Sequence, residues 1–466
     1  MLQGKSSINR RISAFIWVLL LLGLAGCGGG SANPQSSNPT TPPPPPLPPA
    51  ASFFALNINK LTDPWPTTLG VNFGIWRTLG ADLIWSQLEP CQPADETNVS
   101  DPCYAWNTNP HFDDFIASAT FNGQEVLYTA YYTPTWASQN PSDSCAGLLG
   151  AGGCWPPVDV AQGDSHWKNF LAALYQHVSS LPTVGNRQPH IKYWECWNEP
   201  NVNGEYAGTM AELNTLCQDL HDTIHALDST TLFTTPPPTG QIGAAGWMQR
   251  WINNGYANEA DYIAYHGYVC KGCEAETEVA QIITPLQSLL AETAMTSRPL
   301  WDTEVGDGTD NGLPNSDQQA AFVARILLLH QSAGNVFSMA YFGWDFDNIA
   351  LINSPGSSTA TLNAAGVAWQ QIYNWTANIG AKYTASPGCS NSSGTIWQCT
   401  LSASGTNYLI VWDASQNTFP CPNTQACGST SFTVPSGYTQ YDDLTGQSHT
   451  ISGGAVQVGA WPIRLH

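Results

Sequence analysis

Two short apolar segments of this chain each end in a glutamate. The first reads Tyr193-Trp194-Glu195-Cys196-Trp197-Asn198-Glu199-Pro200-Asn201. Trp, Tyr and Cys favour a buried pleated strand. Pro200 has no N–H and stops the ladder, so Asn198 and Glu199 fall at the strand's carboxyl end. The second reads Pro299-Leu300-Trp301-Asp302-Thr303-Glu304-Val305-Gly306 and closes at Gly306. Glu199 and Glu304 are 304 − 199 = 105 residues apart. A pair of carboxyl groups held at two strand ends is what cleavage of a glycosidic bond requires.

The chemistry sets different demands on the two. A glycosidic oxygen is a poor leaving group, so one carboxyl must arrive protonated and deliver its proton. Burial among aromatics such as Trp197, and a second negative charge nearby, would raise that group's pKa. The other must stay ionised to attack the anomeric carbon. In a retaining reaction the carboxyl groups lie about 5–5.5 Å apart, and in an inverting one about 6.5–9.5 Å. Alternation along a strand puts Glu195, Trp197 and Glu199 on one face. Glu195 then points into the interior below the pair, as a partner for an arginine more than as a catalyst. Arg77, near the second predicted strand, is placed either to bond Glu304 or to lie on a helix surface.

Between residues 51 and 375, strand-like and helix-like segments alternate. Strands are predicted at Phe53–Ile58, near Leu83–Trp85, and at Glu125–Ala130, Ile191–Asn198, Leu232–Thr235, Tyr262–Tyr268, Leu300–Glu304 and Val336–Trp344. Helical periodicity lies between them, as at Phe170, Leu171, Leu174 and Val178. Repeated strand–helix units argue for parallel strands, and eight of them for an α/β fold closed as a (β/α)₈ barrel. From 376 to 466 helical periodicity disappears. Short strands such as Tyr408–Trp412 and Ser431–Val434 alternate with Gly, Ser and Asn turns, which predicts a small antiparallel β-sandwich-like domain.

Composition narrows the function classes. Asp and Glu total 35 against 14 Lys and Arg, a net charge of −21, and charged residues are only 11% of the 466. So acidic a chain is a poor partner for nucleic acid or an anionic membrane. The N-terminus carries Lys5, Arg10 and Arg11, then a largely apolar run from Ile12 to Leu24. That run is short for a membrane span and reads as an export signal. Residues 28 to 50 are rich in Pro, Ser and Asn, the composition of an extended tether. Thirteen cysteines include Cys27, which leaves twelve in an exported chain, where disulfides persist. Local pairs are Cys91–Cys103, Cys145–Cys154, Cys389–Cys399 and Cys421–Cys427. Cys270-x-x-Cys273 reads as a loop disulfide, and Cys196 and Cys217 either pair or stay buried thiols. No His/Asp cluster has metal-ligand spacing, so neither metal nor cofactor is expected.

The first segment resembles the W-E-x-W-N-E-P-N motif of clan A glycoside hydrolases, most closely family 39. Thr133-Pro134-Thr135-Trp136-Ala137, Trp85-Ser86-Gln87-Leu88-Glu89-Pro90 and His266-Gly267-Tyr268 resemble further clan signatures. The resemblance implies a retaining β-glycosidase on a (β/α)₈ barrel, with Glu199 as acid/base and Glu304 as nucleophile. It implies that Asn198 bonds the sugar 2-hydroxyl, that His266 and Tyr268 contact the nucleophile and sugar, and that Trp344 after the eighth strand stacks on a sugar ring. Trp136, Tyr131 and Tyr132 are further subsite candidates. Substrates would be polysaccharides or oligosaccharides, with β-xylosidase-like and endo-β-glycanase-like actions both open. A surface glycan-binding protein on a barrel scaffold, and a transglycosylase, are the alternatives. Leu24-Ala25-Gly26-Cys27 resembles the bacterial lipobox. It implies a signal peptide over 1–26, an acylated Cys27, a linker over 27–50, and a membrane-anchored periplasmic or cell-surface lipoprotein. A monomer is expected.

Overall fold

The computed structural model describes residues 51–466 apart from 80–82, 110, 148–149, 241–242, 271–272, 308–315, 378–387, 392–393, 404 and 417–428. The signal segment, Cys27, the tether and the Cys421–Cys427 pair lie outside the described residues.

Eight parallel strands form the first half of the architecture. They are β1 (Phe54–Asn57), β2 (Ile75–Arg77), β3 (Glu125–Ala130), β4 (Tyr193–Cys196), β5 (Leu232–Thr234), β6 (Ile263–His266), β7 (Leu300–Val305) and β8 (Val336–Tyr341). Their order is β5-β4-β3-β2-β1-β8-β7-β6. Parallel bridges Thr234–Tyr262 and Thr239–His266 join β5 to β6 and close the barrel. One expectation is corrected: the second strand is Ile75–Arg77, whereas Trp85–Leu88 forms a single helical turn. Trp85 supplied the apolar signal, but its ring packs outward on Trp167 and Phe170.

The main helices are α1 (His111–Asn122), α2 (Ser165–Ser180), α3 (Met210–Leu227), α4 (Gly243–Asn253), α5 (Thr284–Ala291), α6 (Ser316–Ser332) and α7 (Ala364–Thr376). Their apolar faces cover the barrel, because outward strand residues such as Trp76 need a partner; Trp76 stacks on Phe115 of α1. α3 starts in a capping box, with Thr209 Oγ1 accepting from Glu212 N and the Glu212 carboxylate accepting from Thr209 N.

The inside of the barrel is layered by the two-residue period of its strands. Ala55, Ile75, Leu127, Tyr193, Trp301 and Ala340 form one sealed apolar layer, with Leu232, Tyr262 and Phe337 packed against it. Two positions on, the inward residues of β1 to β4 are Asn57, Arg77, Thr129 and Glu195, all buried and polar. The floor is therefore dry and the carboxyl end of the barrel is polar.

The C-terminal region is a six-stranded antiparallel sheet and a two-stranded sheet. Leu409, Val411, Ile463 and Leu465 of the larger sheet pack with Val456 and Val458 of the smaller one, which makes the sandwich-like core. Trp412 Nε1 donates to Glu276 Oε1, tying this region to the barrel.

Five disulfides are present among the described residues: Cys91–Cys103, Cys145–Cys154, Cys196–Cys217, Cys270–Cys273 and Cys389–Cys399. They suggest an oxidising compartment, extracellular or periplasmic. Among the described residues no helix is long and apolar enough to cross a membrane.

Candidate active site

The polar layer and the strand ends above it converge on one guanidinium. Arg77 is fully buried. Its Nε donates to Glu195 Oε1 at 2.8 Å, its Nη1 to Glu304 Oε2 at 2.6 Å, and its Nη2 to Asn198 Oδ1 at 3.1 Å. Burial opposes the charge on Arg77, but Glu195 and Glu304 outweigh it and raise its pKa further. Glu195 also accepts from Thr129 Oγ1 at 2.8 Å, so it lies below the site as a brace for Arg77.

Glu199 and Glu304 reach the same space from opposite walls. Each keeps 7% exposure, just enough to touch the mouth. An oxygen of Glu199, a nitrogen of His266 and an oxygen of Glu304 all lie within 4.8 Å of one another. Tyr268 Oη donates to Glu304 Oε1 at 2.7 Å, so Arg77 and Tyr268 hold one oxygen each.

His266 bridges the two walls. Its Nε2 faces Arg77 Nη2 at 3.3 Å, and a guanidinium can only donate, so Nε2 is the acceptor. Nδ1 then carries the proton and donates to Glu199 Oε1 at 2.8 Å. Burial first, and Arg77 as well, push His266 down to about 4, with Glu304 and Glu195 opposing. The ring is neutral in this arrangement. Glu199 is pushed up to about 7 by burial, against the Thr239 hydroxyl and Arg77, which lower it. A proton on Glu199 therefore sits on Oε2, the oxygen that His266 leaves free.

Local backbone geometry sets these aims. β4 ends at Cys196, two residues before the predicted end. Trp197 and Glu199 then take left-handed φ values of 66° and 39°. Such conformations are costly for non-glycine residues and cluster at functional sites. On β7 the pairing with β6 skips a residue: Tyr265 pairs with Asp302, but His266 pairs with Glu304. Thr303 is the extra residue of a bulge, which re-aims the next side chain.

Other predicted residues fare differently. Trp344 is fully enclosed and its Nε1 donates to Pro64 O. The stacking expected of it is corrected: its ring belongs to the core, sealed from solvent and bonded to the segment after β1. Tyr131 is buried with Tyr132 and Trp197. Trp136 is half-buried, bonded through Nε1 to Glu89 O at 3.0 Å. Asn198 points its oxygen at Arg77.

Sequence reasoning missed Glu205, six residues past Glu199 in an irregular loop. It is buried against the site, and burial, then Glu199, holds its carboxyl well above the usual range. Trp197 Nε1 donates to its backbone carbonyl at 2.8 Å. No periodicity or motif marks such a loop position.

Among the described residues, two clusters offer three possible metal-ligand atoms within 4.8 Å: Glu199–His266–Glu304, and Glu278–Asp302–His330. In a third, Asp143–Cys145–Cys154, the sulfurs are bonded to each other. A separate cavity of about 160 Å³, lined by Cys196, Cys217, His221 and Trp251 among others, touches neither Glu199 nor Glu304.

The family model described as glycosyl hydrolase catalytic core matches residues 104–368. The chain belongs to this family. It is a glycoside hydrolase, and the resemblance to clan A barrels holds. A search of curated proteins returns no match. Among solved structures, it is similar to the glycoside hydrolase family 30 subfamily 8 xylanase Xyn30A from Clostridium acetobutylicum, at 13% identity and TM-score 0.57, over 89% of this chain and 95% of that one. It is similar to the GH39 enzyme from Xanthomonas axonopodis pv. citri, at 15% identity and TM-score 0.55, over 90% and 95%. A monomeric β-xylosidase from Caulobacter crescentus CB15 matches at 14% and 0.52, over 91% and 97%. At these identities the likeness is one of fold.

Arg77 carries a prediction about stability. Arg77→Met leaves Glu195 and Glu304 buried without their cation. Breaking a buried pair in this way costs about 3–5 kcal/mol. Urea unfolding should show that loss, whereas Lys168→Met, which breaks a partly exposed pair with Asp219, should stay within about 1 kcal/mol.

Proposed function

We propose that this glycoside hydrolase is a retaining β-glycosidase that works by double displacement. Glu304 attacks the anomeric carbon while Glu199 protonates the leaving oxygen through Oε2. The glycosyl ester so formed removes the negative charge of Glu304. Glu199, now ionised, takes a proton from water, and that water releases the sugar. The observation that carries this reading is the approach of Glu199 and Glu304 oxygens to within 4.8 Å. That approach is in keeping with the short carboxyl separation of a retaining pair, about 5–5.5 Å, more than with the roughly 6.5–9.5 Å of an inverting one. The left-handed backbone at Glu199 and the bulge before Glu304 support it, since both aim side chains at one point.

The substrate class we propose is a β-linked plant or microbial polysaccharide or its oligosaccharides. A xylan-type sugar is the first to test, since several of the structurally similar proteins are xylanases and β-xylosidases. We place the protein outside the cytosol, tethered through an acylated Cys27.

The test is stereochemical. A panel of aryl β-glycosides and polysaccharides is incubated with the full-length protein, and the first-formed sugar is observed by proton NMR before mutarotation. The β-anomer is expected first. Initial release of the α-anomer would refute double displacement. No turnover on any substrate, with sugar binding retained, would favour the glycan-binding alternative.

A further inference from the structure

Behind the site, on the outer side of β7, three titratable side chains are sealed from solvent: Glu278, Asp302 and His330. The inference drawn from them rests on the reading of Glu304 as nucleophile.

His330 lies on α6. Its Nδ1 is 2.8 Å from the Ile326 carbonyl, and its Nε2 is 2.9 Å from both Asp302 Oδ2 and Glu278 Oε1. Carbonyl and carboxylate oxygens accept, so both ring nitrogens carry hydrogen and the ring is an imidazolium. Burial works against that charge, but Glu278 and Asp302 outweigh it and raise the ring to about 10.

The other oxygen of Asp302 faces the barrel wall. Asp302 Oδ1 accepts from Gly267 N at 3.0 Å and from Glu304 N at 3.3 Å. One carboxylate thus clasps the ends of β6 and β7 at the bulge where their register shifts. The two clasped amides belong to Glu304 itself and to the residue between His266 and Tyr268. The fit is close. A Cβ on Gly267 would lie 2.2 Å from Asp302 Oδ2 and 2.3 Å from Glu278 Oε1, so only glycine allows the backbone this near. The 2.9 Å contacts of His330 Nε2, a hydrogen bond to Asp302 and an ion pair to Glu278, leave no space for an ion between the atoms.

We propose that Glu278, His330 and Asp302 form a positioning unit for the nucleophile. His330 fixes Asp302, and Asp302 fixes the main chain that aims Glu304 and Tyr268 at the substrate. None of the three touches the reacting atoms.

The experiment compares Asp302→Ala with Asp302→Asn in the full-length protein. Asparagine keeps an oxygen acceptor for both amides, and alanine keeps none. A nucleophile displaced by about 1 Å can cost about 10²-fold in rate. Asp302→Ala is expected to lose about 10²-fold in kcat with KM little changed, and to speed hydrogen exchange in the peptides covering 263–268 and 300–306. Asp302→Asn should recover most of the activity and native exchange. Should the alanine variant fail to fold, His330→Gln replaces it, with a kcat loss of about 10-fold expected. Equal damage from alanine and asparagine, unchanged kcat in alanine or glutamine, or a stoichiometric metal recovered from the purified protein would overturn the proposal. If the unaltered protein turns over no glycoside, the glycosidase reading fails by itself, and the exchange data still decide whether Asp302 holds these strand ends.

Discussion

Glu304→Gln is expected to lower kcat on any accepted glycoside by at least about 10⁴-fold. A nucleophile that works as a unit with its partner groups takes nearly all of the chemistry with it when removed. The amide is almost isosteric and still accepts from Tyr268, which donates to Glu304 Oε1 at 2.7 Å. Folding should therefore survive, and thermal melting of the variant provides that control. What disappears is the electron pair that attacks carbon. A 2-deoxy-2-fluoro aryl glycoside should label the unaltered protein once, in the peptide containing Glu304, and leave the variant unlabelled. A variant within 10-fold of the original rate, or a label on another residue, would remove Glu304 from the mechanism.

The second large effect concerns Glu199. Because burial raises it to about 7, Glu199 is protonated below that pH and ionised above it. The first chemical step needs the protonated form. The kcat/KM should therefore be lost as pH rises through about 7, falling tenfold for each further unit. His266, lowered to about 4, stays neutral across this range and does not contribute to that limb. Glu199→Gln should abolish the limb and lower kcat/KM by about 10²–10⁴-fold for substrates with poor leaving groups. A dinitrophenyl glycoside needs no proton, so its first step should proceed nearly unimpaired. The covalent intermediate then accumulates for want of a base, and added azide should release it as the β-glycosyl azide. A basic limb that persists in Glu199→Gln would assign it to another group.

Much of the fold was legible because it depends on local pattern. The strands at β3 to β8 were marked by apolar runs and by Pro and Gly stops, and the helices by their period. The second strand was not. Ile75–Arg77 spans three residues, too few to show a period, and the stronger apolar signal nearby belonged to a helical turn. Trp344 misled for a related reason. Its place after β8 was read correctly, but a ring's exposure depends on what packs against it from distant parts of the chain, here the segment around Pro64. In Glu205 the loss was complete, since an irregular loop carries no periodic signal at all.

Sequence alone determined which groups are present and the neighbourhood in which most strands lie, because a proline without an N–H and a run of aromatic residues act on their immediate neighbours. It supplied Glu199, Glu304, their partner candidates and the disulfide cysteines. Tertiary structure decided where those groups point. Strict alternation on β7 puts Trp301 and Thr303 inward and would turn Glu304 outward, toward α6. Only the pairing with β6, one residue out of step at Thr303, turns it into the barrel. Such a bulge exists because two strands and the Asp302 clasp must be satisfied together, and no window of the chain contains all of them. The approach of two carboxyls 105 residues apart follows from ring closure in the same way: it is a property of the whole barrel, shared by eight strands and encoded in none of them singly.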